Sequence, residues 1–316
     1  MATVMITGGT GLIGSALSKL LINNGYDVII LSRNPLKTAK ENDYEGRIGA
    51  FKSAGQVYYS RWDIDKRYID PAALAKTDHI IHLAGAGVAD KRWSASRKKE
   101  ILDSRTKSSA LLVKALRELP HKVKDIVSAS AIGWYGPDRG RPFIETDPSY
   151  PGFLGDTCKQ WEESISPVEE LGIRLVKLRM GIVLSDKGGA LKEFRKPMHF
   201  GVAAIMGSGD QVISWIHIED LCRLFLYSME ESSMKGVYNA VAPNPVTNRD
   251  LTKLLSDHVT DGRAISLHIP SFILKIMLGE MSIEVLKSAT VSSEKVQQVG
   301  FEFLYPTLSR AIIDLY

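Results

Sequence analysis

The chain has 316 residues, of which 44% are hydrophobic and 24% charged, so it has enough apolar material for the core of an ordinary globular protein. Its formal net charge of +4 is spread along the chain without a block of like charges, so we expect affinity for small anions and no nucleic-acid partner. Two cysteines are too few for a disulfide framework and lack metal-ligand spacing, and the first residues do not read as a signal peptide. These features predict a cytoplasmic protein with no metal site and no membrane span.

The first half of the chain alternates short β-branched runs with helical patterns, which is typical of a parallel sheet flanked by helices. The predicted strands are Val4–Ile6, Asp27–Leu31, Val57–Tyr59, His79–Leu83, Asp125–Ser128 and Arg174–Leu178. The predicted helices between them are Leu12–Asn23, Ser104–Leu119 and Gly155–Leu171. The fold class is therefore α/β, with a doubly wound parallel sheet of the Rossmann type.

The second half is less regular. Glycine and small residues over Gly201–Gly209 predict a loop, and Ile213–Ile216 predicts a strand that leads into a helix over Ile218–Met229. A turn at Pro243–Pro245 precedes a helix over Asn248–His258, whose start we assign to a cap by Asn248.

The tail after residue 271 is expected to be mostly helical. Its apolar stretch Ile269–Leu278 has about half the length of a membrane span, so we interpret it as a core or docking helix. Met277 and Met281 fall on a helical stripe with Ile273 and Leu274, and we assign both methionines to core packing.

Three glycines form the strongest motif. Gly8, Gly11 and Gly14 stand in a G-x-x-G-x-x-G pattern between the first strand and the first helix. Gly8 permits a tight turn, Gly11 lets the backbone approach a pyrophosphate, and Gly14 lets the helix pack close to the strand. The helix start offers N–H groups to phosphates, so Thr10, Leu12 and Ile13 join these glycines as predicted dinucleotide contacts.

The residues that close the second strand select the dinucleotide. NAD-preferring sites carry an acid here, whereas this chain has Ser32 followed by Arg33. A guanidinium matches a 2′-phosphate in charge and geometry, so we expect NADP(H), with Ser32 and Arg33 as contacts. A solvated loop arginine is the alternative.

Further contacts are expected where later strands end. Asp63 follows the third strand and is placed to accept a hydrogen bond from adenine. The other predicted cofactor contacts, for which packing is the alternative, are Leu83, Ala84, Gly85, Ser128, Arg179, Gly181 and Ile182. We expect the NADP(H)-binding domain to consist of residues 1–184, with later segments at about 210–243 returning to it. Residues 185–316 are expected to form mainly a smaller, mixed substrate-binding and C-terminal helical domain.

Several of these motifs together resemble the extended short-chain dehydrogenase/reductases. They are Thr7–Gly14, His82–Gly87, Ser128–Ala131 with Tyr135 and Gly136, and Leu178–Gly181. More narrowly, the chain resembles an atypical branch of NAD-dependent epimerase/dehydratase-like proteins that is sometimes labelled cell division inhibitor. The narrower markers include Ser214–Asp220, Ala242–Asn248, Leu278–Met281 and Gly300–Phe303. The resemblance spans nearly the whole chain and implies a Rossmann core, a smaller C-terminal substrate domain and NADP(H).

The superfamily's catalytic Tyr and Lys, four residues apart on one helix, are not both present. One register places Leu154 and Cys158 at the two positions, and the other places Gly155 and Lys159 there. The remaining catalytic candidates are Ser130, expected to hold a substrate oxygen, and Tyr135, expected to donate a proton.

A cationic and aromatic wall is expected for the substrate, formed by Arg92, Trp93, Arg105 and Trp134. His217 and Asp220 are a further pair suited to proton transfer, although the matching family motif joins the two domains.

Two functions are compatible with these motifs. The first is an NADP(H)-dependent oxidoreductase or epimerase/dehydratase-like enzyme acting on an unidentified small carbonyl or alcohol. The second is a non-catalytic NADPH-binding sensor or regulatory protein, which the missing Tyr/Lys pair favours. We expect a monomer or a homodimer; among the proteins that this chain resembles, a dimer through the two long helices that flank the sheet is common.

Overall fold

The computed structural model describes residues 1–37 and 55–316. The strands are β1 (Thr3–Thr7), β2 (Asp27–Ser32), β3 (Val57–Asp63), β4 (Tyr68–Ile69), β5 (His79–His82), β6 (Asp125–Ala131), β7 (Arg174–Met180), β8 (Ile182–Ser185), β9 (Gly188–Gly189), β10 (Val202–Met206), β11 (Val212–Ile213), β12 (Trp215–His217), β13 (Gly236–Ala240), β14 (Val246–Thr247) and β15 (Ile265–Ile269). The α-helices are α1 (Leu12–Asn23), α2 (Pro71–Lys76), α3 (Ala95–Glu118), α4 (Phe153–Ile165), α5 (Ala190–Met198), α6 (Ile218–Glu230), α7 (Asn248–Thr260), α8 (Ser271–Leu278), α9 (Met281–Leu286), α10 (Glu294–Gln298) and α11 (Leu308–Leu315).

Eight strands form the main sheet in the order β13-β7-β6-β5-β1-β2-β3-β4. Its pairs are parallel except β3 with the two-residue β4. The chain moves outwards from β1 first in one direction and then in the other, so the carboxyl ends of β1 and β5 flank the point where the strand order reverses. Open α/β sheets bind their ligands in the crevice at such a point.

Helices cover both faces of this sheet, as the alternating pattern predicts. On one face Leu17 of α1 and Phe225 of α6 join a core of side chains from the strands. On the other face Leu112 of α3 and Val168 belong to a second core. The predicted α/β class and Rossmann-type architecture are confirmed.

The smaller lobe has mixed sheets. β12 is parallel to β8, which is antiparallel to β9; β10 and β15 form a parallel pair, and β11 and β14 an antiparallel pair. Leu191, Trp215 and Leu255 are among the side chains of its core. β13 lies in the main sheet beside β7, while the domain boundary at residue 184 stays a prediction.

Several strands of the smaller lobe were not expected, among them β10 and β15. Residues 202–206 form β10 instead of a loop, because Ala203 and Ile205 alternate into the interior while flanking glycines end the strand. Its partner β15 lies almost wholly exposed, so it has no buried face that would give an alternating pattern.

Two helix boundaries differ from prediction by several residues, and the cap of a third helix is a different residue. α3 begins nine residues early, at Ala95 instead of Ser104, since its first turns are charged and stabilised by pairs such as Lys99 with Asp103. The predicted helix to Leu171 ends as an α-helix at Ile165 and continues as a 3₁₀ turn that contains proline. The cap of α7 is Thr247, whose hydroxyl accepts the N–H of Asp250, and not Asn248.

The apolar helix α8 lies on the surface. Phe272, Ile276 and Met277 are 64%, 69% and 65% exposed, and Leu274 is its buried residue. The core packing predicted for Met277 is therefore wrong. None of the described helices is both long and apolar enough to cross a lipid bilayer.

Candidate functional site

The loop between β1 and α1 approaches neighbouring backbone so closely that a side chain does not fit at two of its glycines. Gly8 has φ +71°, and a Cβ there would lie 2.9 Å from the backbone of Leu83. A Cβ on Gly14 would lie 2.4 Å from the carbonyl oxygen of Gly8. Gly11 is exposed, and a Cβ there would meet its nearest described neighbour at 3.4 Å. The loop thus presents bare backbone at the start of α1.

The amino end of α1 suits an anion. Gly11 is its N-cap residue, and no side chain of the described protein caps the first turn. Thr10 is exposed, whereas Leu12 and Ile13 are half-buried. Uncapped N–H groups and the positive end of the helix dipole together favour a phosphate at this place.

Thr7 and His82 join the ends of β1 and β5 beneath this loop. The Thr7 hydroxyl oxygen accepts the N–H groups of Leu83 and Ala84, at 3.1 and 3.2 Å. Its own proton therefore points to Nδ1 of His82, 2.7 Å away, and His82 Nε2 donates to Ser109 Oγ at 3.1 Å. Burial lowers the pKa of His82 to about 3, so this imidazole is a neutral structural link.

The ends of β2 and β3 carry the other predicted cofactor contacts. Ser32 is half-buried at the last position of β2, and Arg33 follows it in solvent. Asp63 closes β3, where its carboxylate accepts the N–H of Lys66 at 3.0 Å and lies 3.8 Å from the guanidinium of Arg61. This edge of the sheet thus carries a cation after β2 and a partly engaged carboxylate after β3.

Arg105 holds the loop that follows β5. Its Nη1 donates to the carbonyl oxygens of Ala86 and Ile101, at 3.0 and 2.9 Å. A Cβ on Gly85 would lie 3.1 Å from its Cζ, and the guanidinium stacks 4.9 Å from the ring centroid of Trp161. Burial lowers the pKa of Arg105. In this geometry Arg105 shapes the loop, and its predicted substrate contact stays a prediction.

Ser130 and Arg179 pair across β6 and β7 and share one partner, Glu162 of α4. The Ser130 hydroxyl donates to Glu162 Oε1 at 2.7 Å. Arg179 binds the same carboxylate twice, from Nε to Oε1 at 2.8 Å and from Nη2 to Oε2 at 3.0 Å. All three side chains are buried. Because its proton is directed to Glu162, the Ser130 hydroxyl can take part in a further hydrogen bond only as an acceptor, and its side chain has no exposed surface in this arrangement.

Tyr135 belongs to the same buried cluster. Its hydroxyl donates to Asn239 Oδ1 at 2.7 Å and accepts from Arg179 Nη1 at 3.0 Å. Burial raises its pKa to about 12, against the effect of the guanidinium. The guanidinium carbon of Arg179 lies 3.6 Å from the centroid of the Trp134 ring. The indole N–H of Trp134 donates to the carbonyl oxygen of Asp147. In this arrangement the Tyr135 hydroxyl is fully engaged inside the protein.

The helix that carries Tyr and Lys in the superfamily has neither at the expected face. Leu154 is half-buried, and Cys158 is buried with its pKa raised by burial to about 12. Lys159 is about half exposed and lies 4.0 Å from Glu163. Neither register position therefore carries a phenol, and the ammonium of Lys159 has Gly155 in place of a tyrosine partner.

The three remaining cofactor candidates lie on β6 and at the β7–β8 junction. Ser128 is buried opposite His82 in the register of β5 and β6. A Cβ on Gly181 would lie 2.7 Å from the carbonyl oxygen of Ser214. The same oxygen accepts the N–H of Ile182, whose side chain is 40% exposed. Packing against the smaller lobe thus requires a glycine at position 181.

The two neighbouring predicted substrate residues Arg92 and Trp93 have different surroundings. The Trp93 ring meets Phe153 of α4 edge-to-face, with the ring centroids 4.8 Å apart. Gly279, between α8 and α9, has φ +62°, and a Cβ there would lie 2.8 Å from Arg92 Nε. Lys98 and Glu280 form an ion pair beside it. Arg92 therefore lies against the smaller lobe, whereas Trp93 packs against α4, which flanks the main sheet.

Two residues of the buried cluster were missed by sequence reasoning. Glu162 was not among the predicted site residues, although it follows Cys158 by four positions on the buried face of α4, where a carboxylate needs a partner. Asn239 on β13 gave no signal, because its contact with Tyr135 spans 104 positions of the chain.

His217 and Asp220 do not form a pair with each other. His217 Nδ1 accepts the N–H of Glu219 as the cap of α6, and its Nε2 lies 3.4 Å from Asp314. Asp220 accepts the N–H groups of Leu304 and Tyr305, both at 2.9 Å. The two residues hold the final segment of the chain onto α6.

The comparisons with known proteins agree with this architecture. Residues 4–240 match the NAD dependent epimerase/dehydratase family, and residues 269–315 match a domain of unknown function, DUF1731. An epimerase family protein of Staphylococcus saprophyticus is 34% identical over 100% of this chain and 99% of its own length. One from Mycobacterium leprae is 32% identical over 98% of this chain and 94% of its own.

Solved structures show the same fold. The crystal structure of human epimerase family protein SDR39U1 with NADPH has a TM-score of 0.82 at 27% identity, covering 99% of this chain and 98% of that one. A UDP-glucose 4-epimerase from Thermotoga maritima, with UDP-glucose, has a TM-score of 0.74 at 22% identity over 98% and 96% of the two chains, and shows the fold alone. On these matches, the chain belongs to the NAD dependent epimerase/dehydratase family.

Proposed function

We propose that this protein binds NADP(H) and acts as an epimerase-like oxidoreductase on a small carbonyl or alcohol substrate. The observation that carries the proposal is the uncapped amino end of α1, which lies beside two sterically required glycines at the point where the strand order reverses. Bare backbone and free N–H groups at this position fit the pyrophosphate of a dinucleotide.

The preference for the 2′-phosphate rests on the end of β2. An acid at this place would repel the phosphate, whereas the exposed Arg33 attracts it. The human relative that was crystallised with NADPH supports the same choice. The family name by itself leaves NAD and NADP open.

When bound, the nicotinamide supplies or accepts a hydride. The protein's part is to move a proton, and Ser130 is the group best placed for it. Its lone pairs accept a hydrogen bond from a substrate hydroxyl, while its own proton already points to Glu162 at 2.7 Å. A proton leaving the substrate would pass to Ser130 Oγ as the Ser130 proton passes to Glu162. Tyr135 would support this route by fixing Arg179.

A regulatory NADPH-binding protein is the second candidate. It is favoured by the burial of both hydroxyls, since Ser130 and Tyr135 have 0% exposure. A substrate would reach Ser130 only after the surrounding side chains move. A sensor needs the cofactor loop but no such access.

The cofactor proposal is tested by affinity. Arg33→Asp should weaken NADPH binding by about tenfold or more and change NADH binding little, because the 2′-phosphate is the distinguishing group. Arg263→Asp, an 83% exposed arginine of the smaller lobe, is the matched control and should leave both affinities unchanged. Equal losses for NADPH and NADH in Arg33→Asp would exclude the assigned role.

The reaction is tested by NADPH oxidation against a panel of carbonyl compounds and quinones. Turnover that falls by about a hundredfold or more in Ser130→Ala, with NADPH affinity retained, supports the enzyme. Tight NADPH binding without turnover on any compound favours the regulatory protein.

A further inference from the structure

The smaller lobe exposes large apolar side chains on consecutive elements, and the proposed function does not use them. This apolar surface starts on β15 and continues through α8 to α9, and its members are Ile265, Leu267, Phe272, Ile276, Met277 and Ile283, each at least 50% exposed. Singly scattered apolar side chains are ordinary on a protein surface, whereas a group of large ones on consecutive elements marks an interaction site.

This surface contains the open edge of a β-strand. Among the described residues, β15 pairs only with β10, in a two-stranded sheet. The N–H of Ile265 and the carbonyl oxygen of Ile269 bond towards β10. Successive residues of a strand direct their backbone groups to opposite edges. The N–H and C=O groups of Ser266 and His268 therefore point to the edge of β15 that faces away from β10. Such an edge is a template for another strand.

We propose that a second copy of this chain covers the surface, with β15 pairing antiparallel to β15 of its partner around a two-fold axis at Leu267. In this register Ser266 of each copy lies opposite His268 of the other, so the outward N–H and C=O groups of both are satisfied. The two Leu267 side chains become direct neighbours, and each α8 begins two residues beyond the strand. A self-complementary edge is what a two-fold dimer requires.

The strand edge and the charges favour this occupant. A stable interface buries roughly 800 Å² on each partner, so the apolar side chains around β15 would be covered together with its edge. The helices that flank the main sheet are less suited, since the exposed side of α3 carries intrahelical ion pairs such as Lys99–Asp103, Lys107–Asp103 and Lys114–Glu118. Burying these charges in a helical interface would cost more than burying the surface around β15.

The oligomeric state is the first test. Light scattering after gel filtration of the full chain should give twice the monomer mass, and Leu267→Lys should give the monomer mass with an unchanged circular dichroism spectrum. Leu267 is 50% exposed, so the fold of the monomer tolerates a lysine there. Tyr58→Lys, at 48% exposure on β3, is the matched control and should remain dimeric.

A crosslinking experiment tests the register. Leu267→Cys should form an interchain disulfide under mild oxidation, because facing residues in such a pair have Cα atoms about 4.5–5.5 Å apart. Ile265→Cys is more exposed, at 71%, yet would face Ile269 of the other copy and should crosslink far more slowly. The native thiols, Cys158 and Cys222, are buried and do not compete.

Several outcomes would overturn the proposal. These are a monomer at all concentrations, a dimer that Leu267→Lys leaves intact, or crosslinking at Ile265→Cys as fast as at Leu267→Cys. A monomer that sediments with lipid vesicles, and loses this binding in Leu267→Lys, would assign the surface to a membrane instead.

Discussion

The pair of Glu162 and Arg179 places two opposite charges where water does not reach. Their side chains are 7% and 2% exposed, and the carboxylate also accepts the hydroxyl of Ser130. Such a pair stabilises little relative to an apolar one, but it becomes costly when one partner is removed. The cluster therefore positions Ser130 and Tyr135 firmly and depends on each of its charges.

Glu162→Gln should lower the free energy of unfolding by about 3–5 kcal/mol, because it leaves the buried guanidinium of Arg179 without its counter-charge. Urea denaturation measures the loss. The adjacent Glu163→Gln is the control: that side chain is 62% exposed and 4.0 Å from Lys159, so its loss should stay within about 0.5 kcal/mol. Equal effects of the two changes would contradict the description of the cluster.

His82 should make stability depend on pH. In the folded protein the pKa of His82 is about 3, whereas in the unfolded chain it is near 6.5. Below pH 6.5 the unfolded state binds the extra proton, so the free energy of unfolding falls with pH by about 1.4 kcal/mol per unit from this group. Urea denaturation at several values between pH 7 and pH 5 should give a shallower slope for His82→Asn than for the wild type. His258→Asn, at an exposed position, should keep the wild-type slope, and parallel lines for all three proteins would contradict the assignment.

At the scale of elements, local patterns determine what the sequence can reveal. The helix α1 and the start of β2 were predicted at their observed residues, because buried strands and amphipathic helices have strong periodicities. Residues 202–206 and 265–269 pair across about sixty positions, and no local pattern reports such a partner. The apolar character of α8 was clear from the sequence, but its exposure depends on the surface around it.

The same limit applies to the site. The glycine loop could be predicted because turn, phosphate contact and helix packing each require glycine at a fixed spacing. The partners of Ser130 and Tyr135 could not, since Glu162 and Asn239 come from distant elements. The absence of the Tyr/Lys pair could be read from the sequence. The hydrogen bonds that Ser130 and Tyr135 make instead depend on tertiary contacts, which the sequence does not reveal.

Gly14→Ala tests the close packing of the loop against α1. The new methyl group would lie 2.4 Å from the carbonyl oxygen of Gly8, so the loop has to move away from the position that suits a phosphate. NADPH affinity measured by calorimetry should fall by about tenfold or more, equivalent to about 1.4 kcal/mol. Gly188→Ala meets its nearest neighbour at 3.8 Å and serves as the control. Undiminished NADPH binding by Gly14→Ala would show that the loop does not hold the cofactor in this way.

At the scale of the whole molecule, Asp220 connects the helix layer of the main sheet to the end of the chain. It is completely buried on α6, which packs against α1 over the main sheet. Its two carboxylate oxygens accept the N–H groups of Leu304 and Tyr305, just before α11 enters the core of the smaller lobe. One buried carboxylate thus links the two lobes.

Asp220→Ala should release this link. Two backbone N–H groups and the guanidinium of Arg223, 2.8 Å from the carboxylate, would lose their acceptor, at a cost of about 3 kcal/mol. Hydrogen exchange should then show faster exchange at Leu304 and Tyr305, while amides of β1 and β5 keep their protection, because the main sheet retains its own core. Asp210→Ala removes a 72% exposed carboxylate that pairs with Arg249 and should leave the exchange of this segment unchanged. If Leu304 and Tyr305 exchange at wild-type rates in Asp220→Ala, packing of α11 alone holds the end of the chain, and the carboxylate does not join the lobes.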